Sequence, residues 1–71
     1  MECVIVRYEE TRDVIVEDGR RLGPTNQKLW IDEATHIFTL GGPKDYAPES
    51  QEIGVSGTTW ENPLEVIFEK V

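Results

Sequence analysis

Residues 14–40 constrain the fold most, because short runs of alternating apolar residues are separated there by residues that favour turns. Asp18 and Gly19 lie between the first two runs. This pair predicts a two-residue type I′ hairpin turn, whose central positions both need positive φ. A second reversal is predicted at residues 32–34, between the apolar runs 29–31 and 37–40. The stretch therefore predicts a small antiparallel β-meander.

Strand-like alternation continues outside this stretch, and no segment has the i, i+3, i+4 apolar spacing of a helix. Seven strands are predicted, at residues 2–8, 14–17, 20–22, 27–31, 35–40, 51–56 and 64–71. Pro24 has no amide proton, so the third strand must end there or lie at a sheet edge. The Gly- and Pro-rich segment 41–50 is predicted to cross between sheets, pinned by Tyr46. Residues 1–71 are thus expected to form one all-β domain, a seven-stranded antiparallel Greek-key sandwich.

The predicted core consists of the more apolar face of each strand. Leu29 and Ile31 share one face of the fourth strand, which leaves Trp30 facing outward. His36 is predicted to point inward near the start of the fifth strand, where it bonds a turn. The predicted core residues are Val4, Val6, Val14, Val16, Leu29, Ile31, Phe38, Leu40, Ile53, Val55, Leu64, Val66 and Phe68.

The charge of the chain argues against several classes of partner. Fourteen acidic residues against seven basic ones give a net charge of −7. Nucleic acid and anionic membranes attract Lys and Arg, so neither is an expected partner. The single cysteine, Cys3, cannot form an intrachain disulfide and is expected to be buried. The start of the chain does not resemble a signal peptide, so a cytoplasmic location is expected if Met1 is the natural start.

A set of residues in this chain resembles the motif of PEGA domains. The motif is Val14-x-Val16-x-Asp18-Gly19-x-x-x-Gly23-x-Thr25, then Leu29-x-Ile31, His36-x-Phe38-x-Leu40 and Tyr46. The resemblance runs from residue 14 to the C-terminus and implies a transthyretin-like (prealbumin-like) β-sandwich in which the histidine has no catalytic role. Two positions depart from the family: Asn26 replaces the usual proline after the threonine, and Ala34 replaces a glycine.

Residues that would support catalysis or metal binding are sparse. His36 is the only histidine, and no GxSxG sequence or neighbouring cysteine accompanies it. A small hydrolase built around His36 would also lack a deep cleft from which water is excluded. Carboxylates in the predicted turns match no calcium-binding loop, and the cysteine and histidine do not have zinc-ligand spacing. No catalytic residue, metal site or cofactor is therefore predicted.

The aromatic residues Trp30, Tyr46 and Trp60 are the candidate binding residues. Trp30 is predicted to face outward, and the other two lie in a turn and a loop. Exposed Trp and Tyr anchor protein interfaces and also stack on sugars. The sequence accordingly predicts a non-catalytic module that binds a protein partner or a second copy of itself, with carbohydrate binding as the alternative. The competing interpretation is that Trp60 and Tyr46 fold over the open ends of the sandwich as lids.

Overall fold

A computed structural model describes all 71 residues and contains nine β-strands and no helix. The strands are β1 (Glu2–Arg7), β2 (Asp13–Ile15), β3 (Arg21–Pro24), β4 (Lys28–Ile31), β5 (Ala34–Leu40), β6 (Tyr46–Ala47), β7 (Gln51–Val55), β8 (Leu64–Ile67) and β9 (Glu69–Lys70). The all-β prediction is confirmed. No helix is present that has the length and apolarity needed to cross a membrane.

The strands form three sheets whose order differs from the predicted meander. One sheet has the order β4-β1-β8, a second has the order β3-β2-β5-β7, and β6 pairs with β9 alone. β4 and β5 follow each other in sequence but lie in different sheets, so the reversal at residues 32–34 is a crossing and not a hairpin. The β1–β8 pair is parallel. Nine strands with one parallel pair therefore replace the expected seven antiparallel strands.

The core contains side chains from both larger sheets. Of the thirteen residues predicted to be core, ten are buried; Leu29, Ile53 and Leu64 are only partly buried and pack against the others. Tyr8 and Tyr46 complete the cluster. Cys3 is buried as predicted, on the opposite face of β1. Alternation along each strand thus identified the inward faces correctly, because a residue's side of its own strand depends only on local sequence.

The β2–β3 hairpin has a three-residue loop, not the predicted two-residue turn. Val16 donates a backbone hydrogen bond to Arg20 (3.0 Å), and Gly19 donates one to Val16 (2.9 Å). Only Gly19 has positive φ, at 77°, and Asp18 does not. A turn followed by a left-handed glycine is the common three-residue hairpin. The hairpin was predicted correctly but its turn type was wrong, because Asp18-Gly19 is compatible with both loops.

Replacing Gly19 with valine tests this turn. The glycine has φ of 77°, and nothing lies within 4 Å of the position that a Cβ would take. The expected cost is therefore backbone strain alone, roughly 1–2 kcal/mol. Chemical denaturation of Gly19→Val measures it. Gly54→Ala, within β7 and without positive φ, serves as the milder comparison, and equal stability of the two variants would contradict the assigned turn.

The last predicted strand divides at Phe68. β8 pairs with β1, whereas β9 pairs with β6. Phe68 lies between the two short strands, donates its backbone N–H to Arg7 O (3.0 Å), and has its side chain buried in the core. The C-terminal segment therefore contributes one short strand to each of two sheets. Pro24 ends β3 at the edge of its sheet, as predicted.

Candidate functional site

Trp30 and Trp60 stack against each other on the surface of the protein. Their ring centroids are 5.4 Å apart and their planes are inclined by 25°. Each residue is 47% exposed. Offset stacking of this kind adds about 0.5–1.5 kcal/mol to the contribution from ring burial, so each ring helps to hold the other in place. The two half-exposed indoles form one apolar surface.

β4 positions Trp30 through the alternation of its side chains. Two of its four residues turn toward the core, so Lys28 and Trp30 lie on the outer face of the three-stranded sheet. Cys3 is the cross-strand partner of Trp30, and Ile5 is the partner of Lys28. Both partners are buried, so the indole and the lysine lie beside two covered apolar side chains on this face of the sheet. The prediction that Trp30 faces outward is confirmed.

The loop between β7 and β8 positions Trp60. Thr58 Oγ1 accepts a hydrogen bond from the backbone N–H of Cys3 (2.7 Å). Glu2 Oε1 accepts two more, from the backbone N–H and the hydroxyl of Thr58, both at 2.8 Å. The two bonds from Thr58, chiefly the one from its backbone N–H, hold the pKa of Glu2 below its usual value. They fasten the loop to β1 two residues before Trp60, so the indole is part of an anchored loop.

Lys28 completes the surface. Its Nζ lies 4.7 Å from the centroid of the Trp60 ring, within the range of a cation–π interaction. No ion pair in the protein includes this lysine. We call the surface formed by Lys28, Trp30 and Trp60 the indole face. It offers two aromatic rings and one cation without a carboxylate partner on a molecule whose net charge is −7.

Tyr46 is not part of this surface. It is 4% exposed, and its hydroxyl donates to Leu40 O (2.9 Å) and accepts from Leu40 N–H (3.3 Å). Its ring meets Phe68 edge-on at a centroid distance of 5.4 Å. The expectation that Tyr46 is exposed is wrong, because its hydroxyl satisfies a buried backbone position at the end of β5. The expectation that Tyr46 pins the segment after β5 agrees with this geometry.

His36 is buried and has hydrogen-bond partners at both ring nitrogens. Nδ1 lies 2.9 Å from Glu17 Oε2, and Nε2 lies 2.9 Å from the backbone oxygen of Asp32. A backbone oxygen only accepts, and so does an ionised carboxylate. Both contacts can therefore be hydrogen bonds at the same time only when both ring nitrogens of His36 carry protons. The arrangement therefore favours the imidazolium form and connects three segments, the β2–β3 loop, the β4–β5 crossing and β5.

The pKa values agree with this geometry. Burial opposes the charge on His36, but the hydrogen bonds to Asp32 and Glu17 outweigh it and raise the pKa of the histidine above 6.5. The pKa of Glu17 falls from 4.5 to about 2, chiefly through hydrogen bonds from its own backbone N–H and that of Ile37, and further through His36. Sequence reasoning placed His36 correctly but did not identify Glu17, because nothing in residues 14–17 distinguishes it from a solvated strand residue.

A second polar cluster surrounds Arg12. Its guanidinium donates to both carboxylate oxygens of Asp45, at 2.8 and 2.9 Å, and lies over the Tyr8 ring, 5.4 Å from its centroid. The bond from Arg12 holds the pKa of Asp45 below its usual range. Glu10 pairs with Lys70, joining β9 to the same cluster. Sequence reasoning missed this cluster because segments 9–13 and 41–45 show no periodic pattern.

The remaining concave surface consists of two depressions. One depression, of about 280 Å³, is lined by residues including Arg12 and Arg21, which already contact Asp45 and Asp13. Another, of about 410 Å³, is formed by residues 61–65. No group of three or more His, Cys, Asp or Glu side chains is arranged to hold a metal ion. The indole face is thus the surface that combines exposed aromatic rings with a cation lacking a carboxylate partner.

Residues in the region that resembles the motif of PEGA domains have structural roles in this fold. A Cβ on Gly23 would lie 2.5 Å from Leu29 Cδ2, so the glycine allows β3 to approach β4. Thr25 is buried and its hydroxyl bonds the backbone of residues 10 and 12. Asn26 has φ of 65°, which proline cannot adopt. No family model, curated protein or solved structure matches the chain.

Proposed function

We propose that this protein is a non-catalytic interaction module that makes a protein–protein contact through its indole face. The observation that carries the proposal is the stacked pair of half-exposed indoles, Trp30 and Trp60, with Lys28 beside them. Trp is enriched among the residues that dominate the energy of protein interfaces. A contiguous apolar surface of this kind on a small acidic protein is typical of a contact site.

The anchoring of both indoles supports the proposal energetically. Binding costs free energy when flexible side chains become ordered at an interface. Trp30 projects from a paired strand and Trp60 from a loop fastened to β1 through Thr58. Because each ring also restrains the other, little side-chain entropy remains to be lost on binding. The surface is therefore organised before a partner arrives.

The fold relationship that we propose is a PEGA-like, prealbumin-like domain. It is supported by the positive φ of Gly19, the close approach at Gly23, the buried Thr25 and the inward His36. All four are structural in this chain, as the resemblance implies for the histidine. Asn26 departs from the family in conformation as well as identity. The proposed function rests on the indole face and not on this relationship.

Replacing Trp30 with alanine should abolish the contact while the fold persists. The residue is 47% exposed, so its loss should cost less than about 1.5 kcal/mol, mainly the stacking with Trp60. Thermal unfolding and a well-dispersed amide NMR spectrum check the fold. Ile37→Ala is the matched control, because Ile37 is an exposed apolar residue in β5 of the other sheet. A variant of Trp30 that unfolds would show the residue to be part of the core.

Site-specific photo-crosslinking tests the contact even when the partner is unidentified. Glu61→benzoylphenylalanine places the crosslinker next to Trp60, and Glu52→benzoylphenylalanine places it on exposed β7 as a control. We expect protein adducts, with itself or another protein, at position 61 that disappear when Trp30→Ala is added, and none at position 52. The proposal fails if the adducts at position 61 are unaffected by Trp30→Ala or absent.

Carbohydrate binding is the second candidate, and the same surface allows a direct comparison. A sugar ring stacks on the open face of an aromatic residue. In this protein each indole already uses one face against the other, and Lys28 lies over Trp60. Titration of oligosaccharides against the fluorescence of the two tryptophans decides between the candidates. A saturable change that Trp30→Ala removes, together with no protein adducts, would favour the carbohydrate-binding module.

A further inference from the structure

The outer edge of β4 has unpaired backbone groups next to the indole face. β4 is the first strand of the sheet β4-β1-β8 and pairs with β1 only. Edge strands have N–H and C=O groups that remain available for another strand. The same short strand supplies Lys28 and Trp30 to the indole face. Backbone groups and side chains suited to binding thus lie together.

The hydrogen bonds of β1 identify which residues of β4 point outward. Arg7 O accepts from Phe68 on the β8 side of β1, and Val6 O accepts from Asn26 on the β4 side. Odd-numbered residues of β1 therefore bond toward β8 and even-numbered ones toward β4, because successive residues of a strand direct their backbone groups to opposite edges. Val4 pairs with Leu29 on the β4 side. It follows that Lys28 and Trp30 direct their N–H and C=O groups to the open edge.

We propose that a second copy of this chain pairs with this edge, β4 against β4, in an antiparallel arrangement with its two-fold axis at Leu29. The inference rests on the proposed function and identifies the partner. In this register Lys28 of each copy lies opposite Trp30 of the other. The two outward residues of each strand then exchange four backbone hydrogen bonds. A two-fold contact needs a self-complementary surface, and a lysine beside a tryptophan provides one through reciprocal cation–π contacts.

Charge complementarity supports this partner. Lys28 lies at the start of β4 and has no carboxylate partner in its own chain. Asp32 and Glu33 are exposed directly after the end of β4. Antiparallel pairing brings the start of one β4 beside the end of the other, so each lysine approaches two carboxylates of the second copy. These local charges attract each other. The two whole chains repel each other because they carry the same net charge, but salt screens that repulsion at longer distance.

The other sheet edges are less suited to a two-fold contact of this kind. β3 contains Pro24, and on β8 the outward Ile67 O accepts a hydrogen bond from Gln51. β7 presents Glu52 and Gly54 outward, because Ile37 opposite Glu52 directs its N–H toward Glu17. Two copies joined at β7 would place carboxylates near each other without an aromatic contact. The β4 edge combines free backbone groups, a cation and an apolar surface.

Amide hydrogen exchange measured at micromolar and millimolar protein concentration tests the pairing residue by residue. We expect the amides of Lys28 and Trp30 to exchange on the order of tenfold more slowly at the higher concentration. The amides of Leu29 and Ile31 bond to β1 in either state and serve as internal controls. Slowing at Glu52 and Gly54 instead would overturn the proposal in favour of a β7 contact.

A charge exchange within β4 tests the register. Trp30→Lys places a lysine opposite Lys28 of the second copy and should prevent association, whereas Ile37→Lys should leave it unchanged. Adding Lys28→Glu to Trp30→Lys creates two Glu–Lys pairs across the same axis. This double variant should recover a measurable part of the association, as detected by sedimentation velocity. Association by the wild type without this restoration would overturn the proposed register.

Failure of the β4 pairing can be distinguished from failure of the proposed function. A chain that is monomeric at millimolar concentration overturns the β4 pairing. If such a chain still forms adducts at position 61 with a different protein, and Trp30→Ala removes them, the indole face remains a contact site and only the identity of the partner was wrong. If neither self-association nor adducts are found, both proposals fail together.

Discussion

Phe68→Ala should destabilise the protein by about 3–5 kcal/mol, the range expected when a buried phenylalanine is truncated. Phe68 is 3% exposed, and its ring packs edge-on against Tyr46, which closes the core after β5. A domain of this length has a total stability of about 4–11 kcal/mol by the usual value per residue. The truncation should therefore remove a large share of the total stability, from about a quarter at the upper end of that range to all of it at the lower end.

Equilibrium unfolding in urea measures this effect. Ile67→Ala is the matched control, since Ile67 precedes Phe68 in the sequence but is 56% exposed on the outer face of its sheet. Its truncation should cost roughly 0.5 kcal/mol or less, as for ordinary surface positions. If the two variants lose the same stability, the inward direction of Phe68 and with it the division between β8 and β9 would be incorrect.

The contrast between these neighbours shows what the sequence determines locally. Alternation along residues 64–68 places Val66 and Phe68 inward and Ile67 outward, as the structure has them. The same pattern gives no information about partners. β8 lies parallel to β1, from which it is separated by most of the chain, and β9 joins a different sheet. Pairing at such sequence separation depends on the whole fold, so alternation alone could not predict it.

The candidate site was predictable to a similar extent. The outward direction of Trp30 followed from Leu29 and Ile31, which share the other face of β4. Its stacking with Trp60 did not follow, because it depends on the bonds that fasten Thr58 to Glu2 across 56 residues of sequence. Tyr46 was expected to be exposed since a loop rich in Gly and Pro usually lies at the surface. Its hydroxyl found a buried backbone partner instead.

His36 yields the second large effect, a dependence of stability on pH. The folded-state pKa of His36 lies above its unperturbed value of 6.5. Its stabilising contribution is therefore complete below pH 6.5 and declines as the pH rises through the raised pKa. Glu17 acts in the opposite direction. Its pKa falls from 4.5 to about 2, so its contribution is complete above pH 4.5 and is lost as the pH falls toward 2. The pair stabilises the fold most between these limits.

The chain contains a single histidine, so the titration of His36 can be followed by NMR without assignment ambiguity. We expect a midpoint above 6.5 and a free energy of unfolding that decreases through the same pH range. Glu17→Gln should lower the midpoint, because it removes the carboxylate that faces Nδ1 at 2.9 Å. Glu49→Gln makes the same change in net charge at an exposed position and should leave the midpoint unchanged.

His36→Phe should remove the pH dependence in this range and reduce stability at pH 6 by about 1–3 kcal/mol, the cost of leaving buried polar partners without a donor. Asp32 O would lose its bond from Nε2, and Glu17 would lose the cation that it faces. The loss should shrink as the pH rises, since the wild type then also loses its imidazolium. A midpoint at or below 6.5, or an equal loss at every pH, would show that folding does not favour the imidazolium form of His36. One of its two ring contacts would then lack a proton, and the connection between the β2–β3 loop and the β4–β5 crossing would be weaker than the geometry indicates.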